Sequence, residues 1–181
     1  MSKTDRLKQL LIERSVQKGN FVLASGKSST FYVDARLTTM SPEGMVAIGG
    51  LALEKFDALG WKPESVGGLT LGADPIAFAI SYASADRPVP LRGFTVRKQA
   101  KQHGTGNLIE GPFRSGDKVV VVEDVITTGK SAIQAIDAVE NAGGSIVGVL
   151  AVVDREDGGR EAILARGYDV ISLTSIAELL A

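Results

Sequence analysis

Two adjacent carboxylates, Glu123 and Asp124, stand between an apolar run and a small polar loop. The apolar run, Val119 to Val122, has four β-branched residues, which is typical of a strand buried on both faces of a parallel sheet. The loop, Thr127 to Ser131, precedes a helical pattern, so its backbone N–H groups and the positive end of the helix dipole would form a phosphate site. Because paired carboxylates hold hydroxyl groups by charge-assisted hydrogen bonds, carboxylates beside such a site indicate a sugar phosphate as the ligand.

Two other interpretations of this stretch have to be weighed. A nucleotide-binding P-loop shares the sequence Gly129-Lys130-Ser131, but it requires glycine where this chain has Asp124, and a carboxylate there would repel a phosphate chain. The loop is also compatible with an ordinary helix start after a buried strand, and this stretch by itself does not exclude that alternative.

A second group of candidate residues lies in a basic stretch, residues 97–111. From Arg92 to Ile109 the chain has no acidic residue, although its formal net charge is −1. Glycines at 104 and 106 give the stretch backbone freedom, so it could be a lid that closes on a polyanion or a solvated loop with spare charge. Its candidates for contact with a ligand are Arg97, Lys98, Lys101 and His103, the only histidine of the chain.

The elements that must position these residues alternate between strands and helices. We expect a helix from Ser2 to Lys18 ended by Gly19, two short strands at 21–24 and 30–34 that form a small hood, and a helix from Pro42 to Leu59 capped by Ser41. Further strands are expected at 66–71, 90–96, 119–122, 145–153 and 168–173. Further helices are expected to begin near residues 75, 127 and 159, and a last helix is expected to begin after Thr174, which would cap it.

This alternation predicts an α/β domain with a mainly parallel sheet flanked by helices. Ligands of such sheets bind beyond the carboxyl ends of the strands. Asp74, Arg97, residues 123–131 and Arg155 all follow predicted strands. An arginine at such a position could pair with an anion through its planar fork or form a surface salt bridge with Glu156 or Asp157. The shared placement predicts one active site.

The composition sets outer limits on function. The chain has 181 residues, with 23% charged and 44% hydrophobic residues, which indicates one globular domain spanning 1–181. A net charge of −1 gives no global basic field for nucleic acid or an anionic membrane, and no apolar run is long enough to span a bilayer. The chain has no cysteine, so it has no disulfide, thiolate zinc site or cysteine nucleophile. We expect a cytoplasmic protein.

Four stretches carry a resemblance to a known family. V-V-V-V-E-D-V-I-T-T-G-K-S, residues 119–131, resembles the phosphoribosyl pyrophosphate (PRPP) motif of the type I phosphoribosyltransferases. Three more resemble features of the orotate phosphoribosyltransferases among them: S-G-K-S-S-T-F-Y-V-D-A-R at 25–36 their hood motif, R-K-x-x-K-x-H-G at 97–104 their mobile catalytic loop, and Asp154-Arg155 their orotate-binding arginine.

The resemblance implies the type I phosphoribosyltransferase fold, with a hood formed by about residues 1–38, and a reaction. Ribose 5-phosphate would pass from PRPP to N1 of orotate, giving orotidine 5′-monophosphate and pyrophosphate on the route to UMP. Lys101, His103 and Asp124 would be catalytic, and Thr127 and Arg155 would bind orotate, with Phe31 and Tyr32 near its ring. The implied PRPP-binding residues are Arg97, Lys98, Lys101, His103, Glu123, Asp124, Val125, Ile126, Thr127, Thr128, Gly129, Lys130 and Ser131.

The resemblance also implies a cofactor and an assembly. Mg²⁺ would be carried mainly by PRPP, with few protein ligands, as suits a small hard cation. Two copies of the chain would form a homodimer with shared active sites, in which the lysine of the basic stretch reaches the neighbouring site.

This chain departs from the family pattern at two places. Many members have lysine just before the hood's Ser-Gly, where this chain has Ala24, and lysine after a sheet strand, where it has Gly72-Ala73-Asp74. Two alternative functions also stay open: a type I phosphoribosyltransferase for a purine or another pyrimidine, and a PRPP-sensing regulator without chemistry.

Overall fold

The computed structural model describes residues 2–22, 28–99 and 107–181. Its helices are α1 (Lys3–Arg14), α2 (Arg36–Thr39), α3 (Pro42–Leu59), α4 (Asp74–Ala83), α5 (Lys130–Asn141), α6 (Gly159–Leu164) and α7 (Ile176–Leu180). Its strands are β1 (Val16–Val22), β2 (Ser28–Val33), β3 (Ser65–Leu69), β4 (Arg92–Val96), β5 (Ile109–Glu110), β6 (Lys118–Ile126), β7 (Ser145–Asp154) and β8 (Val170–Ser175).

The main sheet has six strands in the order β5-β4-β3-β6-β7-β8. All neighbouring pairs are parallel except β4 and β5, which are antiparallel. This confirms the predicted fold class, a mainly parallel sheet flanked by helices.

The four valines of β6 lie at the centre of two hydrophobic cores. All of Val119 to Val122 are fully buried. Val120 and Val122 belong to the core that includes residues of α1, α3 and α4, whereas Val119 and Val121 belong to the core that includes residues of α5. Successive side chains of a strand point to opposite faces, so this apolar run supplies both layers of the domain and fixes the position of the acidic residues that follow it.

The hood is a separate antiparallel pair, β1 with β2. The expected helix from Ser2 to Lys18 is wrong at its end: α1 stops at Arg14, and residues 16–22, with Gly19 inside them, form β1. Ser15 is buried, and its Oγ lies 2.7 Å from Thr38 Oγ1, so a tertiary contact that no local pattern records turns the chain there. The boundary of the hood at about residue 38 stays a prediction.

Other helix ends follow their capping residues. The α3 helix has the predicted bounds: Ser41 Oγ accepts a hydrogen bond from Gly44 N at 3.2 Å, and Gly60 ends the helix in the left-handed region at φ 67°. Thr174 is not the cap of α7, because Ser175 holds that place. No helix in the described ranges is both long and apolar enough to cross a membrane.

A short clamp closes the base of the basic stretch. Val96 pairs with Ile109 and Thr95 with Glu110 in the antiparallel β4–β5 ladder. Just beyond it, the backbone N–H of Arg97 donates to the carbonyl oxygen of Leu108 at 2.8 Å. The chain therefore leaves the sheet after Arg97 and returns to it at Leu108.

Candidate active site

A cleft of about 580 Å³ lies at the carboxyl ends of the central strands. The end of β2 and the start of α2, the loop after β3, the end of β6 with the loop after it, and the end of β7 form its walls. The residues that line it are Tyr32, Val33, Asp34, Ala35, Arg36, Leu69, Thr70, Leu71, Gly72, Lys98, Glu123, Asp124, Val125, Thr127, Thr128, Lys130, Ser131 and Arg155.

The carboxylate pair lies in the second half of β6, which runs on to Ile126. Sequence reasoning ended this strand at Val122, because the acidic residues look like a strand end. The ladder with β7 continues instead: Glu123 pairs with Ala151 and Val125 with Val153. Regular strand geometry therefore positions both carboxylates.

Burial dominates the electrostatics of Glu123. The residue is 7% exposed, and Oε2 is buried with no hydrogen-bond partner among the residues described. Burial raises the pKa of Glu123 well above its ordinary value, and the neighbouring Asp124 raises it further through its charge and a hydrogen bond. An acceptor of this kind is poised for a hydroxyl donor that enters the cleft.

Asp124 is better stabilised as an anion. Burial raises its pKa, but the backbone N–H of Val125, which donates to Asp124 Oδ1 at 2.9 Å, lowers it, as does the positive charge of Arg36 to a smaller degree. The two adjacent carboxyls therefore differ in the groups that stabilise their charged forms.

The loop after β6 encloses a smaller cavity of about 80 Å³, lined by Glu123 and by residues 125–131. Gly129 has φ 78° and immediately precedes α5. A Cβ at this position would lie 2.8 Å from the carbonyl oxygen of Gly159, so both the backbone angle and the space require glycine. The cavity thus sits at the amino end of a helix of twelve residues, where backbone N–H groups and the helix dipole attract anions.

Arg155 lies at the end of β7, below the hood, and is only 9% exposed. Its Nε donates to Asp157 Oδ2 at 2.9 Å, its Nη2 donates to Ser29 Oγ at 3.4 Å, and its Cζ lies 5.0 Å from the centre of the Phe31 ring. Arg155 therefore forms the ion pair with Asp157 that the sequence allowed. This pair is partly buried beside the cleft and is not a surface salt bridge. Burial and the aromatic contact orient the guanidinium.

The predicted cations of the basic stretch are only partly described. Lys98 lines the cleft. Arg97 is not among the described lining residues, and its Nη1 donates to Glu110 Oε1 at 3.2 Å. Lys101 and His103 lie outside the described residues.

Two further walls of the cleft were predicted only in part, because Tyr32 and the strand end at Asp74 were expected at the site whereas Asp34, Arg36 and Thr70 were given no role. One is formed by Tyr32, Asp34 and Arg36, of which the last two form a bidentate ion pair. The other is the loop after β3, from Thr70 to Gly72. The sequence signal for the first wall was present, because Asp34 ends a predicted strand and Arg36 follows it by two residues.

Asp74 supports the loop after β3 and is not itself among the lining residues described. Its Oδ2 accepts a hydrogen bond from Thr70 Oγ1 at 2.7 Å. Gly72 lies against the carboxylate of Asp124, and a Cβ there would come within 2.6 Å of Asp124 Cγ. The loop is thus in direct contact with the acidic pair.

Across residues 2–22, 28–99 and 107–181, no group of three or more His, Cys, Asp or Glu side chains is arranged to hold a metal ion. The carboxylates that line the described part of the cleft are those of Glu123, Asp124 and Asp34.

Comparison with known proteins identifies the relatives of this chain. The family model for the phosphoribosyl transferase domain matches residues 39–176. The orotate phosphoribosyltransferase of Aquifex aeolicus is 44% identical over 99% of both chains. That of Mycobacterium avium is 45% identical over 97% of this chain and 95% of the relative.

Comparison with solved structures leads to the same family. The Mycobacterium tuberculosis orotate phosphoribosyltransferase in complex with PRPP superposes with a TM-score of 0.85 at 40% identity. The match covers 99% of this chain and all of the other.

Proposed function

The chain belongs to the orotate phosphoribosyltransferases of the phosphoribosyl transferase domain family, and from that premise we propose how its cleft carries out the reaction. Ribose 5-phosphate passes from PRPP to N1 of orotate, giving orotidine 5′-monophosphate and pyrophosphate on the route to UMP. The proposal depends above all on one observation: a single cleft joins a buried carboxylate pair, a phosphate-sized cavity at a helix start and a buried arginine.

The carboxylate pair binds the two ribose hydroxyls. A hydroxyl that donates to Glu123 Oε2 gives a partner to an oxygen that is otherwise buried without one, which removes a cost of about 1–3 kcal/mol. Asp124 accepts the second hydroxyl beside it. Because carboxylates accept hydrogen bonds more strongly than neutral groups, the pair favours a sugar with adjacent hydroxyls.

The 5′-phosphate occupies the cavity formed by residues 125–131. The amino end of α5 supplies uncompensated N–H groups and the positive end of the dipole. Lys130 and the hydroxyls of Thr127, Thr128 and Ser131 lie around the same cavity. The ribose ring is thus held from both ends, by its hydroxyls and by its phosphate.

Arg155 binds the carboxylate of orotate, and Thr127 contacts the base. The described bonds of the Arg155 guanidinium use Nε and one hydrogen of Nη2, so further N–H donors of its planar fork can meet a carboxylate bidentately. Uracil lacks this carboxylate, and a purine lacks it as well. Selection among bases therefore depends on Arg155.

The cations of the basic stretch stabilise the leaving group. As the bond from C1 to pyrophosphate breaks, positive charge grows on the ribose and negative charge on the pyrophosphate. We expect Lys101, His103, Arg97 and Lys98 to offset the second charge, as cations near a developing negative charge do. Asp124, close to the ribose, offsets the first.

Mg²⁺ fits this site as an ion carried mainly by PRPP. Its preferred ligands are oxygens, and Glu123 and Asp124 supply few of them, in keeping with a diphosphate and hydroxyls that supply the rest. When bound, Mg²⁺ would neutralise part of the charge of the diphosphate.

The protein is proposed to act as a homodimer with shared active sites. Three large apolar side chains on α4 and the loop before it are exposed, Leu71 by 54%, Phe78 by 48% and Tyr82 by 84%. Leu71 also lines the cleft, so a second copy that covers this apolar surface would stand beside the active site. Light scattering should give the mass of two chains, and Tyr82→Asp should shift the mass towards one.

The decisive experiment is a direct assay of the purified protein. PRPP and Mg²⁺ are added to orotate, uracil or hypoxanthine, and the ultraviolet absorbance of the base is followed. We expect a change with orotate alone that requires PRPP and is abolished by Arg155→Ala. The control is Arg166→Ala, which removes an exposed arginine paired with Asp137 on the surface and should leave the rate unchanged.

The other outcomes identify the alternatives. Reaction with uracil or hypoxanthine instead of orotate would replace orotate by that base. Binding of PRPP with no reaction of any base would favour a PRPP-sensing regulator.

A further inference from the structure

Arg36 is held at the edge of the cleft by a bidentate ion pair. Its Nε donates to Asp34 Oδ1 at 2.8 Å, and its Nη2 donates to Asp34 Oδ2 at 2.9 Å. The backbone N–H of Arg36 also donates to Asp34 Oδ1, at 3.2 Å. Because a guanidinium carries five N–H donors in one plane, this pair fixes the plane of the side chain and leaves three donors for another acceptor.

The guanidinium stands beside the carboxylate pair. Arg36 is 44% exposed and lines the same cleft as Asp124. Its positive charge is one of the influences that lower the pKa of Asp124 against the effect of burial, and the charge of Asp124 in turn helps raise the pKa of Arg36, after the larger effect of Asp34. A cation is therefore available next to the ribose position.

The wall formed by the loop after β3 carries no cation. Leu71 is apolar, Gly72 is pressed against Asp124, and Ala73 is fully buried. A Cβ on Gly68 would lie 2.7 Å from the Ala73 Cβ, so the side chain at 73 points into packed structure.

The other cations described in the cleft serve different parts of it. Lys130 begins α5 at the phosphate cavity, and Arg155 lies under the hood with Phe31. Lys98 follows β4, and its carbonyl oxygen accepts a hydrogen bond from Gln134 at 3.1 Å. Arg36, by contrast, is a cation whose charge acts on Asp124.

We propose that Arg36, oriented by Asp34, binds the diphosphate of PRPP at the Asp124 end of the cleft and supplies the cation that the loop after β3 lacks. This inference rests on the proposed function, since it assigns a group of PRPP to a residue of the same cleft. Asp34 is a positioning residue in it: it acts on the substrate only through Arg36.

The test compares ligands that differ in the diphosphate. Binding of PRPP, pyrophosphate and orotidine 5′-monophosphate is measured by titration calorimetry in Mg²⁺ buffer for the native protein and for Arg36→Gln. Loss of a hydrogen bond to a charged group predicts that PRPP and pyrophosphate bind about tenfold or more weakly. Orotidine 5′-monophosphate has no diphosphate, so its affinity should stay within about twofold, a change of less than 0.5 kcal/mol.

A matched control removes a bidentate arginine elsewhere. Arg87 donates from Nη1 and Nη2 to Asp57 at 2.9 and 2.7 Å and is not among the residues described around the cleft, so Arg87→Gln should leave all three affinities unchanged. Arg36→Lys keeps the charge without the fork, so its losses should be smaller but fall on the same two ligands. If Arg36→Gln does not fold, Arg36→Lys tests the proposal instead: weaker binding of PRPP and pyrophosphate with unchanged binding of orotidine 5′-monophosphate would support it, and any other pattern would overturn it.

The results separate this inference from the proposed function. If native protein binds PRPP and converts orotate, but Arg36→Gln binds pyrophosphate as tightly as native protein, Arg36 does not contact the diphosphate and the proposed function stands. Equal weakening of all three ligands would also overturn the assignment, because it would indicate a general effect on the cleft. If native protein neither binds PRPP nor converts orotate, the proposed function itself fails.

Discussion

The buried carboxyl of Glu123 should make the stability of the ligand-free protein depend on pH in a defined direction. The residue binds its proton more tightly in the folded protein, where its pKa is raised well above 4.5, than in the unfolded chain. Above about pH 4.5 the folded protein therefore holds more protons than the unfolded one. The free energy of unfolding must fall as pH rises, until the pKa of the folded state is passed. Glu123→Gln removes this group at nearly the same volume.

The size of the effect follows from linkage. One titrating group changes the free energy of unfolding by at most about 1.4 kcal/mol per pH unit. Between pH 5 and 8, Glu123→Gln should therefore gain stability relative to native protein, by an amount that grows with pH and has an upper limit of about 4 kcal/mol. The gain levels off once the folded-state pKa is exceeded, so the pH at which it levels off measures that pKa.

Urea unfolding of both proteins at pH 5, 6, 7 and 8, without ligand, provides the assay. The control is Glu178→Gln, because Glu178 has its pKa lowered to about 2, first by Lys8 and then by the backbone N–H of Ser175. That lowered pKa stabilises the fold at all four pH values and is lost only in strong acid, so Glu178→Gln should be less stable than native protein by a nearly constant amount. A constant difference for Glu123→Gln as well would refute the reasoning.

Three further outcomes are expected. Gly72→Ala should lower turnover with little loss of stability, because its Cβ displaces the carboxylate of Asp124; steady-state kinetics and thermal unfolding would measure the two effects, and unchanged turnover would contradict the contact. Asp117→Ala should cost about 1–3 kcal/mol of unfolding free energy, since the backbone N–H of Arg114 and the partly buried guanidinium of Arg92 lose their acceptor; a urea midpoint close to native would contradict this. Lys101→Ala should lower turnover far more than PRPP affinity, and normal turnover would exclude its assigned role.

The main sheet could be predicted from the sequence because its signals are local. Val119 to Val122 form a run that suits a strand buried on both faces, and they are buried in two separate cores. Ser41 and Gly60 mark both ends of α3 by capping and by a left-handed φ, and the structure has both ends where these residues predict them. These interactions involve neighbouring residues, so a pattern is enough to find them.

The antiparallel pair of the hood was predicted, but its start at residue 16 and part of the cleft could not be predicted in the same way, because their signals are tertiary. Ser15 turns the chain through a contact with Thr38, far along the sequence. The end of β6 depends on pairing with β7 and not on the polarity of Glu123. Gly72 and Arg36 enter the site because separate loops meet at Asp124, which spacing along the chain does not reveal.

The clamp between β4 and β5 fixes the distance between the two ends of the basic stretch. Two ladder pairs and the hydrogen bond from Arg97 to Leu108 hold these ends together at the edge of the sheet. In polymer terms, doubling the length of such a loop costs only about 0.6 kcal/mol of closure entropy. A change in the number of residues between Arg97 and Leu108 therefore costs the fold little through closure entropy. The length of this connection can differ between relatives while the two clamped ends keep their places in the sheet.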